Sequence, residues 1–284
     1  FSPSALETYA GCPFRWFVER VIGAEDVDFE LDDRVVGQLL HRVLSDVYTT
    51  LGSARLLPLR QEGVRTAEQM ASALVDDLVA GEDCPGSPAE RRLAGRRLKR
   101  MAHNLFDMEA SSGSVLVQSE AEMWVGGGEG VDMGGFRLRG RVDRVDVVPQ
   151  TGALFVFDYK TGSIPAQGAI GTGEGLQLPL YLMALAAERP DVAVGGGAYL
   201  GLKDKKRVGV VRAGAEEALG LRSDGYRVLD EQGVEELFPC THQVAADAVA
   251  GMRAGVIAPH SDRKCSFWCE LGPACRARRG GYRP

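Results

Sequence analysis

The sequence predicts an α/β fold, in which a central mixed β-sheet is flanked by helices and carries an additional helical insertion. Three observations lead there. Apolar residues recur at helical spacing through the first part of the chain, shift to the two-residue alternation of strands over 115–160, and then alternate between the two periods. The chain has 284 residues of which 45% are hydrophobic, enough to bury a large core and too many for a disordered protein. No apolar run approaches membrane-spanning length, and no basic segment followed by an apolar stretch opens the sequence.

Taken in order, Ser4 and Glu7 have the spacing of a capping box, which opens a helix through Tyr9, Phe14, Trp16 and Phe17 toward Val21, interrupted at Pro13. Val36, Leu39, Leu40, Val43, Leu44 and Val47 form one stripe, predicting a helix over 33–50 that carries Gly37 and His41. Residues 65–80 and 88–109 read as two more helices separated by a Gly/Pro/Cys loop. Residues 52–113 are therefore expected as a helical insertion within a single domain spanning 1–284. Strands are expected at 115–125, 136–148 and 153–160, with a Gly-rich loop at 126–130 and a turn at 149–152. A helix over 175–188, strands near 195–202 and 207–213, and a helix near 242–254 complete the pattern.

The formal net charge of −6 hides an uneven distribution. Arg91, Arg92, Arg96, Arg97, Lys99 and Arg100 crowd one helix, Lys203, Lys205, Lys206 and Arg207 follow a strand, and Arg276, Arg278, Arg279 and Arg283 load the end of the chain. Each cluster alone is an ordinary solvated face; together they outline a groove able to track phosphates, with Arg96, Arg97, Lys203, Lys205, Lys206 and Arg207 as candidate DNA contacts.

The strand Leu154–Lys160 holds the densest chemistry. Leu154, Val156, Asp158 and Lys160 share one face, and Phe155, Phe157 and Tyr159 the other, so a carboxylate and an amine end a strand that is otherwise apolar on both sides. A strand-end salt bridge accounts for that pair by itself. His41, Asp143, Asp158 and Lys160 on adjacent elements also supply hard oxygen ligands, an imidazole and a cation, a set suited to a divalent metal acting on phosphate. Gln177 and Tyr181 share a helix face at i and i+4. A core histidine at His41, Asp146 in place of Asp143, and simple packing of Gln177 and Tyr181 remain alternatives.

These motifs, G-x-x-x-H (37–41), G-R-V-D-R-V-D (140–146), D-Y-K-T-G (158–162) and Q-x-x-x-Y (177–181), preceded by S-P-S-A-L-E-T-Y-A-G-C-P-F-R-W-F (2–17), resemble the PD-(D/E)XK nuclease superfamily in its RecB and AddB-like branch. The resemblance implies a restriction-endonuclease-like core. It implies that His41, Asp143 and Asp158, with the Tyr159 carbonyl, bind Mg²⁺ or Mn²⁺. Lys160 then orients or helps deprotonate the attacking water and offsets phosphate charge, while Gln177 and Tyr181 position Lys160 or the DNA. The implied activity is metal-dependent exonuclease hydrolysis of DNA, on single-stranded ends supplied by a helicase during double-strand-break resection and recombinational repair. In AddB-like proteins the nuclease forms the C-terminal part, so a chain starting at Phe1 is expected to be a piece of a longer cytoplasmic protein. No Gly-Lys dipeptide occurs, so this piece lacks a P-loop and ATP-driven unwinding is expected from a helicase domain or partner. A non-catalytic DNA-end-binding scaffold and a restriction-type endonuclease are the competing readings.

Of six cysteines, Cys12 lies in the opening motif and Cys265, Cys269 and Cys275 near the end. This arrangement resembles the four-thiolate 4Fe–4S staple of AddB-type nucleases, which implies that 1–20 and 260–284 are joined by the cluster. Cys265 and Cys269 have three residues between them, where the resembled pattern has two. A zinc site drawing on His242 or His260, or plain buried thiols, would account for the same residues.

Overall fold

The computed structural model describes residues 1–23, 31–82, 84–220, 225–259 and 269–275. The chain opens with α1 (Pro3–Gly11) and the short α2 (Pro13–Trp16), which continues into a π-helical turn over Phe17–Ile22. Ser2 caps α1 in place of Ser4, its hydroxyl accepting the Ala5 N–H at 3.2 Å. Glu7 is thereby free to act elsewhere. Pro13 begins a helix, at the first-turn position where its missing N–H is not needed.

Three long helices follow: α3 (Asp33–Ser53), α4 (Gln61–Ala80) and α5 (Pro88–Ala110). Asp32 caps α3 by accepting the Val35 N–H at 2.7 Å, and Ser87 with Glu90 forms a reciprocal capping box on α5. The expected stripe of α3 is fully buried at Val36, Leu40, Val43, Leu44 and Val47.

The sheet comprises β1 (Val117–Val125), then, beyond a separate pair β2 (Val131–Asp132) and β3 (Arg137–Leu138), β4 (Gly140–Val147) and β5 (Leu154–Lys160). Helix α6 (Gln177–Glu188) leads to β6 (Val194–Gly201), β7 (Lys206–Arg212), β8 (Tyr226–Leu229) and α7 (Glu231–Arg253). Six strands form one mixed sheet in the order β1-β4-β5-β6-β7-β8, parallel at β5–β6 and β7–β8 and antiparallel elsewhere.

The expected strand over 136–148 is divided: β3 pairs with β2, and only from Gly140 does the chain join the main sheet. The short β8 was not foreseen. Helix α7 begins well before residue 242 because Asp230 caps it, accepting the Gly233 N–H at 2.8 Å, and it continues through Pro239. Gly233 and Pro239 mask its periodicity in the sequence.

Alternation along β5 sorts the core into two layers. Phe155, Phe157 and Tyr159 pack with α3, α4 and α5, whereas Leu154 and Val156 pack with α1, α6 and α7. Asp158 and Lys160 thus point toward the second layer, at the end of the strand. Among the described residues no helix is long and apolar enough to cross a membrane.

Candidate metal centre

The backbone ladder between β4 and β5 runs from Val147 opposite Leu154 to Arg144 opposite Phe157. Beyond it a side chain takes over, and the Tyr159 N–H donates to Asp143 Oδ2 at 2.7 Å. The two strands therefore end in a small opening lined by carboxylates.

His41, from the middle of α3, points into that opening. Its Nδ1 lies 3.1 Å from Asp143 Oδ1 and 3.8 Å from Glu122 Oε1. One ligand atom from each of the three residues lies within 4.8 Å of the others. Glu122 was missed in the sequence, where β1 shows only alternating polar residues. It sits at φ 51°, the left-handed region, a conformation that costs a non-glycine residue roughly 1–3 kcal/mol and is retained chiefly at functional sites. Its other oxygen, Oε2, is 2.6 Å from Arg141 Nε.

Asp158 and Lys160 complete the opening. Lys160 Nζ lies 2.6 Å from Asp158 Oδ2 and donates to Gln177 Oε1 at 2.7 Å. Burial pushes the Asp158 carboxyl up to about 6 against the pull of Lys160, with the Asp143 charge adding to the rise. For Lys160, burial works downward, but Asp158, Glu7 and Asp143 together outweigh it and the net shift is upward, so the side chain stays an ammonium. His41 behaves alike: burial lowers it, and Asp143, Asp158 and Glu122 together raise it above its ordinary value. Glu122 is raised by burial and by its neighbour Asp143. The carboxylates of Glu122, Asp143 and Asp158 gathered with one imidazole form a donor set of hard oxygens that fits Mg²⁺ or Mn²⁺.

Glu7 is the second residue that sequence reasoning assigned elsewhere. Its Oε2 accepts the N–H groups of Leu176 and Gln177 at 2.6 and 3.0 Å, satisfying the start of α6 from another helix. It thus fixes the helix end that delivers Gln177 to Lys160. Glu7→Ala is expected to lose about 1–2 kcal/mol of stability in urea melts, the magnitude of a lost helix cap.

Tyr181, one turn further along α6, donates to the Arg141 carbonyl at 2.9 Å. Its ring lies over Gly140, where an added Cβ would come within 2.9 Å of both Tyr181 Cε1 and Pro3 Cδ. The glycine of the G-R-V-D motif is thus required by close approach. Gly140→Ala should lower the melting temperature by several degrees, an overpacking penalty of about 1–3 kcal/mol.

Asp146 takes no part in the cluster around His41; it is fully buried and bonded through both oxygens to Arg144 at 2.6 Å. Asp143, by contrast, is the carboxylate that meets His41. The candidate DNA contacts are largely engaged. Arg97 pairs with Asp33, Lys205 with Asp107 and Lys206 with Asp204, and Arg207 donates to the Met108 carbonyl. Asn104 ties α5 to the β6–β7 turn through the Leu202 carbonyl, and the Leu202 N–H donates to Lys160 O. Exposed Lys203 therefore lies in a turn joined to the Lys160 strand end, while exposed Arg96 lies on α5. Arg276, Arg278, Arg279 and Arg283 are outside the described residues.

Cys12 and Cys269 are half-buried and Cys275 is buried, all as free thiols, and Cys265 lies outside the described residues. Among the described residues no three cysteines gather at metal-ligand distance. The two ends of the described chain nevertheless meet: Tyr9 donates to the Val256 carbonyl at 2.6 Å, and Arg15 lies near Cys269 and Glu270. His242 spends its Nε2 on the Met133 carbonyl, and His260 is outside the described residues.

A family model described as the PD-(D/E)XK nuclease superfamily matches residues 1–276. Curated relatives, each named as one of the subunits of an ATP-dependent helicase/deoxyribonuclease, are also similar. The one from Carboxydothermus hydrogenoformans is 26% identical over 272 residues, covering 83% of this chain and 24% of that protein. The one from Moorella thermoacetica is 29% identical over 212 residues, covering 67% of this chain and 18% of that protein. The chain spans a quarter or less of the length of these relatives.

Proposed function

Because the chain belongs to the PD-(D/E)XK nuclease superfamily, we propose that it is a metal-dependent deoxyribonuclease that hydrolyses phosphodiester bonds in single-stranded DNA ends. The observation that supports this reading best is the meeting of His41, Glu122 and Asp143 beside the Asp158–Lys160–Gln177 chain at the open end of the sheet. The names of the relatives join a deoxyribonuclease to an ATP-dependent helicase. We extend that to this chain as one nuclease domain over 1–284, with 52–113 as its helical insertion, working on strands that a helicase unwinds during break resection.

His41, Asp143, Asp158 and Glu122, with the Tyr159 carbonyl, are the residues that would hold Mg²⁺ or Mn²⁺. The ion supplies Lewis acidity and a water of lowered pKa. Lys160, kept protonated by Asp158, acts as a fixed positive charge and hydrogen-bond donor toward the reacting phosphate and water. Gln177 holds the ammonium from the side of α6 and so limits where Nζ can swing. Tyr181 and Glu7 hold the helix that carries Gln177.

The test is cleavage of end-labelled single-stranded DNA by the anaerobically purified chain, with Mg²⁺, with Mn²⁺ and with EDTA. Progressive, metal-dependent shortening is expected. Discrete fragments from duplex DNA would instead support a restriction-type enzyme, and tight DNA binding without cleavage under either metal a scaffold. For Cys12, Cys265, Cys269 and Cys275 the proposal is a 4Fe–4S cluster joining 1–20 to 260–284. About four irons per chain with a broad visible absorbance are expected. A colourless, zinc-loaded protein would refute it.

A further inference from the structure

Besides the candidate DNA contacts read from the sequence, a different strip of the surface is basic, aromatic and adjacent to the candidate metal centre. Trp124 on β1 is 54% exposed, an unusual fate for the largest side chain on an edge strand. The Arg139 guanidinium lies 4.8 Å from the centre of its ring. Across the ladder Trp124 is opposite Arg141, whose Nε reaches Glu122 Oε2. Arg139 and Arg141 are both exposed and alternate with the buried Leu138, Gly140 and Val142, so they project to one side as the chain enters the site. Arg137 continues the series, with its guanidinium on Glu129 and the Gly130 carbonyl.

Resting on the nuclease reading above, we propose that Trp124, Arg139 and Arg141 form the landing strip for a single DNA strand. On it a base stacks on the Trp124 ring beside Arg139, and the flanking phosphates meet Arg139 and Arg141. Stability alone offers little reason for an open indole here. Burying it would be favourable, and an exposed cation–π pair contributes only modestly. Single-stranded nucleic acid matches the three features together: a π-face that every base can use, cations at alternating positions, and continuity with a site for phosphate chemistry. Trp124 follows Glu122 by two positions on β1, so a base on its ring lies next to the candidate metal centre.

The experiment uses the full 284-residue chain in EDTA, where cleavage is off, and fluorescently labelled oligothymidylate beside an abasic oligonucleotide of equal length. Wild type should prefer the base-bearing strand by about 5- to 100-fold, and Trp124→Ala should lose that preference while keeping abasic affinity. Arg139→Gln should weaken both probes and flatten the salt dependence by about one phosphate contact. Circular dichroism melts of both variants establish folding, and neither side chain is a metal ligand. Undiminished base preference in Trp124→Ala, or no base preference in wild type, overturns the strip whether or not the protein cleaves DNA. A protein that shows this signature but never cleaves would keep the strip and remove the nuclease.

Discussion

Replacing Lys160 with Met should leave a folded protein whose metal-dependent cleavage falls about 10²- to 10⁴-fold, the magnitude associated with losing a positioned charge or proton donor at a reacting centre. The side chain is largely enclosed, its Nζ shared between Asp158 and Gln177. Asp158→Asn should fail for a different reason. It removes a carboxylate that the proposed function places at the metal, and its defect should appear as lost metal binding as well as lost turnover. Isothermal titration with Mn²⁺ separates the two, and retained Mn²⁺ affinity in Asp158→Asn would contradict the placement of Asp158 among the ligands.

The same carboxylate gives a pH dependence whose sign is fixed. In the metal-free protein Asp158 is held at about 6, above its ordinary value of 3.8, chiefly by burial. The folded state thus binds more protons than the unfolded one between these values, and this group's contribution to stability is lost as pH rises through that window. A bound cation reverses the effect by favouring the charged form. The melting-temperature gain from Mn²⁺ should therefore grow from about pH 5 to about pH 8, reinforced by His41, which is also raised and must lose its proton to act as a ligand. An equal gain at both ends of that range would exclude these two groups from the metal centre.

The second large effect lies behind the sheet. Arg144 is bonded to both oxygens of Asp146 and to Glu109, with its guanidinium 4.3 Å from the centre of the Tyr48 ring, and all of it is enclosed by α3, α5 and the sheet. Arg144→Met should destabilise the protein by about 3–5 kcal/mol, because it leaves two carboxylates without a counter-charge in the core. Urea denaturation measures this directly. Combining it with Asp146→Leu and Glu109→Gln should recover most of the loss, since the penalty belongs to the abandoned charges.

The alternation of β5 and the stripe of α3 were legible because each pattern is strictly local and one face of each element is fully buried. The positions of His41, Asp143, Asp158, Lys160, Gln177 and Tyr181 followed from motif order, and the structure brings these residues to one end of the sheet. Glu122 was not legible. Its approach to His41 depends on a left-handed backbone within a strand, which no periodicity announces. Glu7 was read as a cap for its own helix because capping boxes are judged within one segment, whereas its partners lie far along the chain at Leu176 and Gln177. The pairing of the basic clusters was hidden for a related reason. Sequence counts positive charges but not the Asp33, Asp107 and Asp204 that folding sets against them.

Tyr159 serves two clusters at once. Its N–H holds Asp143 in the metal centre, while its ring lies beside His41 and its hydroxyl accepts from Arg144 in the core behind. Selection on that one codon therefore answers to two unrelated demands. Alleles at Tyr48, Glu109 or Arg144, which touch none of the proposed metal ligands, can thus impair the proposed site through Tyr159. Suppressors of such alleles should then map to the rear core, a pattern of inheritance that follows from the strand having two faces and a single backbone.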